Sequence, residues 1–185
     1  MSTASLRRDH DLIERVLRSM ASTIQLLEAG KQVPGPILYQ VIDFTHNFTD
    51  VCHHTKEERS LFPALESAGL PSRMGPIAVM LMDHKRSREI AERMEADAEA
   101  YSASGDPSGL IRSMREYVEH VTEHLWKENN RLFVMAEARL RYAASKVAGE
   151  LDEIERAQLR EIGRGRDHYE RLAVNLDEML KKATG

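Results

Sequence analysis

Apolar residues recur along most of the chain at intervals of three and four, the spacing that gathers them on one face of an α-helix. No stretch shows the alternation of apolar and polar positions that predicts a strand. Proline and glycine interrupt the pattern at VPGP (33–36) and in SASGDPSG (102–109). The five predicted helices cover about residues 5–29, 36–63, 77–102, 108–145 and 150–182.

The connections between the first four predicted helices are short, which favours antiparallel neighbours. We therefore expect an all-α fold, an up-down-up-down antiparallel four-helix bundle over residues 1–147. Residues 148–185 are expected to form a C-terminal helical extension packed on the bundle, interrupted near Gly163 and Gly165. Pro63 is expected to end or kink the second helix, because proline lacks an N–H and clashes with the preceding turn.

One segment of the chain occurs twice. HHTKEERSLFPALE (53–66) aligns without gaps with HLWKENNRLFVMAE (124–137), and six of the fourteen positions are identical. In each copy a His stands four residues before a Glu, so one helical turn places both side chains on the same face. The two pairs are His53 with Glu57 and His124 with Glu128.

A solitary His lies upstream of each copy, His10 after Asp9 and His84 after Asp83. Two helical hairpins of this kind would bring four imidazoles and two carboxylates into one core, which predicts a metal site. If both Glu bridge two ions, each ion has about four protein donors, and an oxo or hydroxo bridge makes five. An octahedral ion then keeps one open position. The mixed nitrogen and oxygen set favours two iron ions, with zinc or manganese as the alternative.

The second helix offers two registers, because His54 and Glu58 have the same spacing as His53 and Glu57. The internal repeat favours His53 and Glu57 as the inward pair. On an ideal α-helix, the residues in line with His54 are polar, and burying them without partners is unfavourable. We therefore expect the His54 line to face outward. The polar residues on that line are Asp43, Asn47 and Asp50.

Other side chains are candidates for adjusting such a site. His46, Tyr117 and His120 each lie one or two turns before an inward His, where they would add a ligand or orient one. The alternative is that each only hydrogen-bonds within a polar bundle interior. Cys52 is expected to be a buried structural thiol, and His168 to lie on the surface.

The composition narrows the classes of function. The net charge of −4 gives no basic footprint, so no nucleic-acid binding is expected. No apolar run is long enough for a membrane span or an export signal, so we expect a cytoplasmic protein without a membrane partner. A single cysteine fits a reducing compartment. The chain also carries no glycine-rich phosphate loop, nucleophile elbow or Cys/His pair.

Four segments, RDHDLIERVL, CHHTKEERSLFPALE, MDHKRSREIAERM and EHLWKENNRLFVMAE, resemble the hemerythrin-like HHE cation-binding family, in order over about residues 7–137. The resemblance implies a non-haem di-iron centre in a four-helix bundle, with the two Glu bridging. The implied ligands are His10, His53, Glu57, His84, His124 and Glu128.

The chain departs from the oxygen-carrying members at Met80, where those proteins have a further His that closes one iron. Both irons are therefore expected to stay accessible. We expect a protein that binds, senses or reacts with O2, NO or peroxide at a carboxylate- and oxo-bridged iron pair, with binding or sensing favoured over an enzyme. One alternative is an iron-responsive regulatory or interaction module. In it, a tail (150–182) that is not needed to build the site reports metal occupancy to a partner. The other alternative is an iron–sulfur centre repair protein. No cysteine precedes Cys52, so we do not expect the N-terminal cysteine-bearing extension typical of those repair proteins.

Overall fold

The computed structural model describes residues 2–184, and every regular element in that range is a helix. The first, α1, spans Ala4–Glu28. It ends where Gly30 takes a positive φ of 71°, a left-handed conformation that glycine adopts without strain. None of the described helices combines the length and the apolar character needed to cross a bilayer.

The second predicted helix is continuous, but much of it is not α-helical. It begins as α2 (Gly35–Asp43) and continues as a π-helix, π1 (Phe44–His54), in which the backbone hydrogen bonds run from i to i+5. A second π segment, π2 (Glu57–Leu61), leads into α3 (Phe62–Ser67). Pro63 lies in the first turn of α3, so the helix passes the proline directly after a π turn and ends at Ser67.

The second half of the bundle repeats this construction on a smaller scale. Helix α4 spans Pro76–Ser104 and α5 spans Ser108–Lys127. A π segment, π3 (Glu128–Leu132), again follows the HxxxE sequence and leads into α6 (Phe133–Arg139). The predicted fourth helix was therefore too long, because the chain turns after Arg139.

Two helices follow, α7 (Ala144–Ile162) and α8 (Arg166–Thr184), divided at Gly163 where an interruption was expected. Helix α8 packs against α1, and α7 packs against π1 and π2. The predicted domain boundary at 147/148 falls inside α7 and stays a prediction.

The apolar core consists of two clusters. The larger involves α1, α2, α4, α5 and α8, and the smaller gathers around Leu6, Leu61 and Phe133. In α1 and α4 the predicted ligand lies between residues of the two clusters, His10 between Leu6 and Ile13 and His84 between Met80 and Ile90. The polar site is therefore a layer closed on both sides by hydrocarbon.

Candidate metal centre

The structure brings the six predicted ligand side chains together in this layer, and all of them are at most 1 % exposed. Their ligand atoms form two groups, each with members within 4.8 Å of one another, and both groups contain the two carboxylates. Two ions that share the carboxylates would fit this arrangement. The first group is His10, His53, Glu57 and Glu128, and the second is His84, His124, Glu57 and Glu128.

The contacts within the layer follow the internal repeat. Each solitary His faces the Glu of the other copy: His10 Nε2 lies 3.2 Å from Glu128 Oε2, and His84 Nε2 lies 3.3 Å from Glu57 Oε2. Within each copy, the His and Glu one turn apart approach to 3.6 Å in the first and 3.4 Å in the second. A metal bonded to nitrogen and oxygen at about 2.0–2.2 Å holds neighbouring donors roughly 3 Å apart.

The donor atoms that face the centre of the layer make no hydrogen bonds to other described residues. The Nε2 atoms of the four imidazoles and all four oxygens of Glu57 and Glu128 lack a hydrogen-bond partner among the described residues. Buried polar atoms are nearly always satisfied, and leaving so many unpaired in one place is unfavourable. The donor set therefore fits a pair of cations.

Carboxylates lie on the far side of two imidazoles, but only one is within hydrogen-bond distance. His53 Nδ1 lies 3.2 Å from Asp9 Oδ2, whereas His124 Nδ1 faces Asp83 Oδ2 at 3.6 Å and has no hydrogen-bond partner among the described residues. Each of these Asp residues precedes the solitary His of its own copy. An Nδ1–H directed at a carboxylate leaves Nε2 with a free lone pair, which is the usual way a protein orients a metal-binding His.

The solitary imidazoles are held by the residue that follows each ligand Glu. His10 Nδ1 donates to Asn129 Oδ1 at 3.0 Å, and His84 Nδ1 donates to Glu58 Oε1 at 2.8 Å. All four rings therefore turn Nε2 towards the centre. Two sequence features could have indicated these partners. One is the Asp that precedes each solitary His, and the other is the residue that follows each ligand Glu; neither was predicted to orient a ligand.

The lysine of each copy completes this pattern, but in two different settings. Lys127 Nζ lies 3.2 Å from Asp83 and is partly exposed, whereas Lys56 Nζ is fully buried, 2.6 Å from Asp9 and 2.6 Å from Glu155. The Arg166 Nη1 atom also donates to Asp9, at 2.7 Å. Glu155 and Arg166 belong to α7 and α8, so the tail contacts the residues around the site, and the expectation that it is not needed to build the site stays a prediction.

His54 also lies in the layer, and the expectation that it faces outward was wrong. It is 1 % exposed, and its ligand atom lies within 4.8 Å of those of His84 and His124. The physical reason is π1, whose turns contain roughly one residue more than α-helical turns, so a register drawn at the α period fails across it. Asp43, on the same line, is buried as well and pairs with Arg164.

The three residues predicted to add or orient a ligand, His46, Tyr117 and His120, lie outside the metal-binding groups found among the described residues. His46 pairs with Glu95 at 3.1 Å near the surface. Tyr117 is buried, and His120 Nε2 lies 2.9 Å from the Asp83 carbonyl oxygen. His168 is 39 % exposed.

Electrostatics differ between the two carboxylates when no cation balances them. Burial and the charge of Glu128 raise the pKa of Glu57 to about 8. Burial alone would raise the pKa of Glu128. The neighbouring imidazoles, of which His124 has the largest effect, outweigh burial and lower this pKa well below its usual value. Burial also lowers the pKa of His53 to about 4 and that of His54 well below its usual value, so both imidazoles are neutral and suited to a metal.

The regular elements of the described residues are all helical, and their buried His and Glu clusters could hold metal ions, as expected for a helical metal-binding protein. The sequence matches the family described as Hemerythrin HHE cation binding domain over residues 1–136, and the chain belongs to that family.

Relatives include the uncharacterized proteins Rv1995 of Mycobacterium tuberculosis and Mb2018 of Mycobacterium bovis, each 28 % identical over 130 residues. The match covers 69 % of this chain and 50 % of each relative, so the chain spans about half the length of the curated relatives it matches. No solved structure gives a significant match.

Proposed function

We propose that the protein is a non-haem di-iron protein that binds, senses or reacts with O2, NO or peroxide. Two ions would share Glu57 and Glu128, one held also by His10 and His53 and the other by His84 and His124, within an up-down-up-down bundle. The observation that carries the proposal is the set of buried donor atoms that face a common space without hydrogen-bond partners.

The choice of metal follows from the donors. Imidazole and carboxylate suit iron, manganese and zinc, and the six proposed ligands include no thiolate. Bound iron would supply redox chemistry with a diatomic molecule or peroxide, which zinc does not. Zinc or manganese remains the alternative cation.

The side chains around the site would keep water out and hold the rings. The Phe133 ring stacks on His10 with centroids 5.0 Å apart, and the Phe62 ring stacks on His84 at 5.6 Å. These two phenylalanines occupy the same place in the two copies, so each copy covers the solitary imidazole of the other. A small, uncharged molecule is the kind of ligand that such an enclosed layer admits.

A second candidate, a metal-responsive interaction module, is favoured by one observation. Glu155 and Arg166 of the C-terminal helices contact Lys56 and Asp9, and Asp9 in turn contacts His53. Metal occupancy at His53 would therefore be coupled to the docking of α7 and α8, which could present or withhold a surface for a protein partner.

Both candidates are tested on the full chain expressed with iron. Metal content per chain is measured, and the absorption spectrum is recorded in the oxidised form, after reduction, and after exposure to O2, NO or H2O2. Two irons per chain and a rapid spectral response support the first candidate. Bound iron that reacts with none of them, together with thermal stability that follows metal content, supports the second. Less than one metal per chain after loading with iron, manganese or zinc would contradict both, and His46→Ala, a change at a partly exposed His outside the metal-binding groups, is the control.

A further inference from the structure

His54 has the burial and the contacts of a ligand, although it is not one of the six. We propose that His54 is a fifth imidazole ligand, bound through Nε2 to the ion held by His84 and His124. The inference rests on the proposed two-metal site and makes that site asymmetric.

The position of the ring supports this role. His54, His84 and His124 form a buried cluster with their ligand atoms within 4.8 Å of one another. This cluster does not include Glu57 or Glu128, and His84 and His124 are the residues that it shares with the carboxylate-containing group. The His54 ring stacks on that of His84, with centroids 3.9 Å apart and planes 13° apart, so it packs directly against a proposed ligand. Because an imidazole lone pair lies in the plane of its ring, binding of one ion by both residues would require one ring to turn. His54 Nε2 has no hydrogen-bond partner among the residues described, like the Nε2 atoms of the four other imidazoles.

The other ring nitrogen is held by a hydrogen bond, as it is in His10, His53 and His84. His54 Nδ1 lies 3.2 Å from Asp50 Oδ1, one turn earlier in π1. Arg88 donates through Nε to Asp50 at 2.6 Å and through Nη2 to Glu58 at 2.7 Å. One guanidinium therefore fixes both carboxylates, the one that orients His54 and the one that orients His84. This is the arrangement of partners that a metal-binding His requires.

The internal repeat shows what the same positions hold where no fifth ligand is present. Extending the ungapped alignment, Leu125 stands opposite His54 and Val121 opposite Asp50. Both are buried, at 2 % and 0 % exposed. Packing alone is therefore served by an apolar pair in the second copy. An imidazole with an unpaired buried nitrogen is unfavourable in the same setting, unless that nitrogen binds a ligand.

The fifth imidazole adds a donor to one ion only, so the two ions would have different numbers of protein donors. The ion at His84 and His124 would have three imidazoles and two carboxylates, and the ion at His10 and His53 would have two of each. With one shared water or hydroxide, the first reaches six donors, a complete octahedral set, and the second reaches five. The open position, and thus the binding of a small molecule, is assigned to the His10 and His53 side.

Cobalt(II) loading of the full chain tests this, because the Nδ1–H of each imidazole bound to the paramagnetic ion gives a shifted, exchangeable proton resonance. We expect five such resonances in the wild-type protein and four in His54→Leu, which places the residue of the second copy in the first. In a chelator competition, the weaker of the two cobalt ions of His54→Leu should be bound roughly tenfold or more weakly, since even residues that only orient a ligand change affinity by about 10–100-fold. His46→Leu should match the wild type in both measurements.

Four resonances in a wild-type protein that binds two cobalt ions would overturn the inference and leave the proposed function intact. Failure of the wild type to bind two ions would instead overturn the proposed function. Addition of free imidazole to His54→Ala provides an independent measurement. We expect the imidazole to restore the lost affinity, whereas a purely structural role for His54 predicts no recovery.

Discussion

The two copies of the repeated segment build one centre, yet they are held by different parts of the molecule. The first copy is buried beneath the C-terminal helices, and its lysine, Lys56, is fully enclosed between Asp9 and Glu155. The second copy lies nearer to solvent, and Lys127 keeps 27 % of its side chain exposed beside Asp83.

The comparison separates what the repeat specifies from what its surroundings add. Both copies supply a His, a Glu and a stacking Phe in matching geometry, and a lysine beside the Asp that precedes the solitary His, so these features follow from the shared sequence. The enclosure of the first copy comes from α7 and α8, and the additional imidazole comes from the residue after His53. A duplicated motif thus produces two unequal halves once one half is covered.

The largest expected difference between the copies is in stability. Lys56→Met should lower the free energy of unfolding by about 3–5 kcal/mol, because the buried carboxylate of Asp9 and the partly buried one of Glu155 lose their ammonium partner and keep Arg166. The equivalent change, Lys127→Met, should lower it by about 0–1 kcal/mol, since a partly exposed pair is screened by water. Denaturant unfolding of the metal-free proteins measures both. Equal losses would show that the two copies are not differently enclosed.

Metal affinity should differ in the same direction. Asp9→Asn should weaken binding by about 10–100-fold, as is common when the partner that orients a metal-binding His is altered. Asp83→Asn should weaken it less, because its carboxylate is 15 % exposed and lies 3.6 Å from His124 Nδ1, compared with 3.2 Å for Asp9 and His53. Chelator competition with cobalt(II) compares the two variants. A larger loss in Asp83→Asn would reverse the ranking.

Much of this arrangement could be predicted from the sequence, because it depends on local periodicity. The pairs His53 with Glu57 and His124 with Glu128 are one turn apart in any right-handed helix of this kind, and short loops bring neighbouring helices together. The all-helical fold and the family were confirmed.

What escaped prediction depended on features without a periodic signal. The π-helix that turns His54 inward is defined by i to i+5 hydrogen bonds, which the spacing of apolar residues does not reveal. Glu155 and Arg166 occur among many charged residues of α7 and α8, where solvated side chains are the norm. Only the docking of those helices gives the two residues their partners.

The two ligand carboxylates should respond oppositely to substitution in the metal-free protein at pH 8. The pKa of Glu57 is raised above its unfolded value, so this residue destabilises the fold as pH rises from about 4.5 to about 8. Glu57→Gln should therefore stabilise the metal-free protein. The pKa of Glu128 is lowered, so its ionised carboxylate stabilises the fold above the unfolded pKa, and this stabilisation is lost as pH falls. Glu128→Gln should therefore destabilise the metal-free protein.

Thermal unfolding of both variants with a chelator present, at pH 5 and at pH 8, measures this contrast. The Glu57→Gln stabilisation should be smaller at pH 5, where the wild-type carboxyl is already protonated. Shifts of the same sign in the melting temperatures of the two variants would contradict the opposite pKa directions of the two carboxyls.

The smallest effect concerns a thiol in the enclosed half. Cys52 is fully buried, and burial, followed by the charge of Asp9, raises its pKa to about 12. Because only the thiolate reacts, alkylation of the native protein at pH 8 should be at least about a hundredfold slower than alkylation of the unfolded chain. Arg166→Ala should increase the native rate severalfold, since it removes a contact that docks α8 over this copy. Arg171→Ala, on the exposed side of α8, should leave the rate unchanged. If Arg166→Ala alters neither the alkylation rate nor the metal affinity, the docking of α8 does not bear on the first copy, and its enclosure must come from α7 alone.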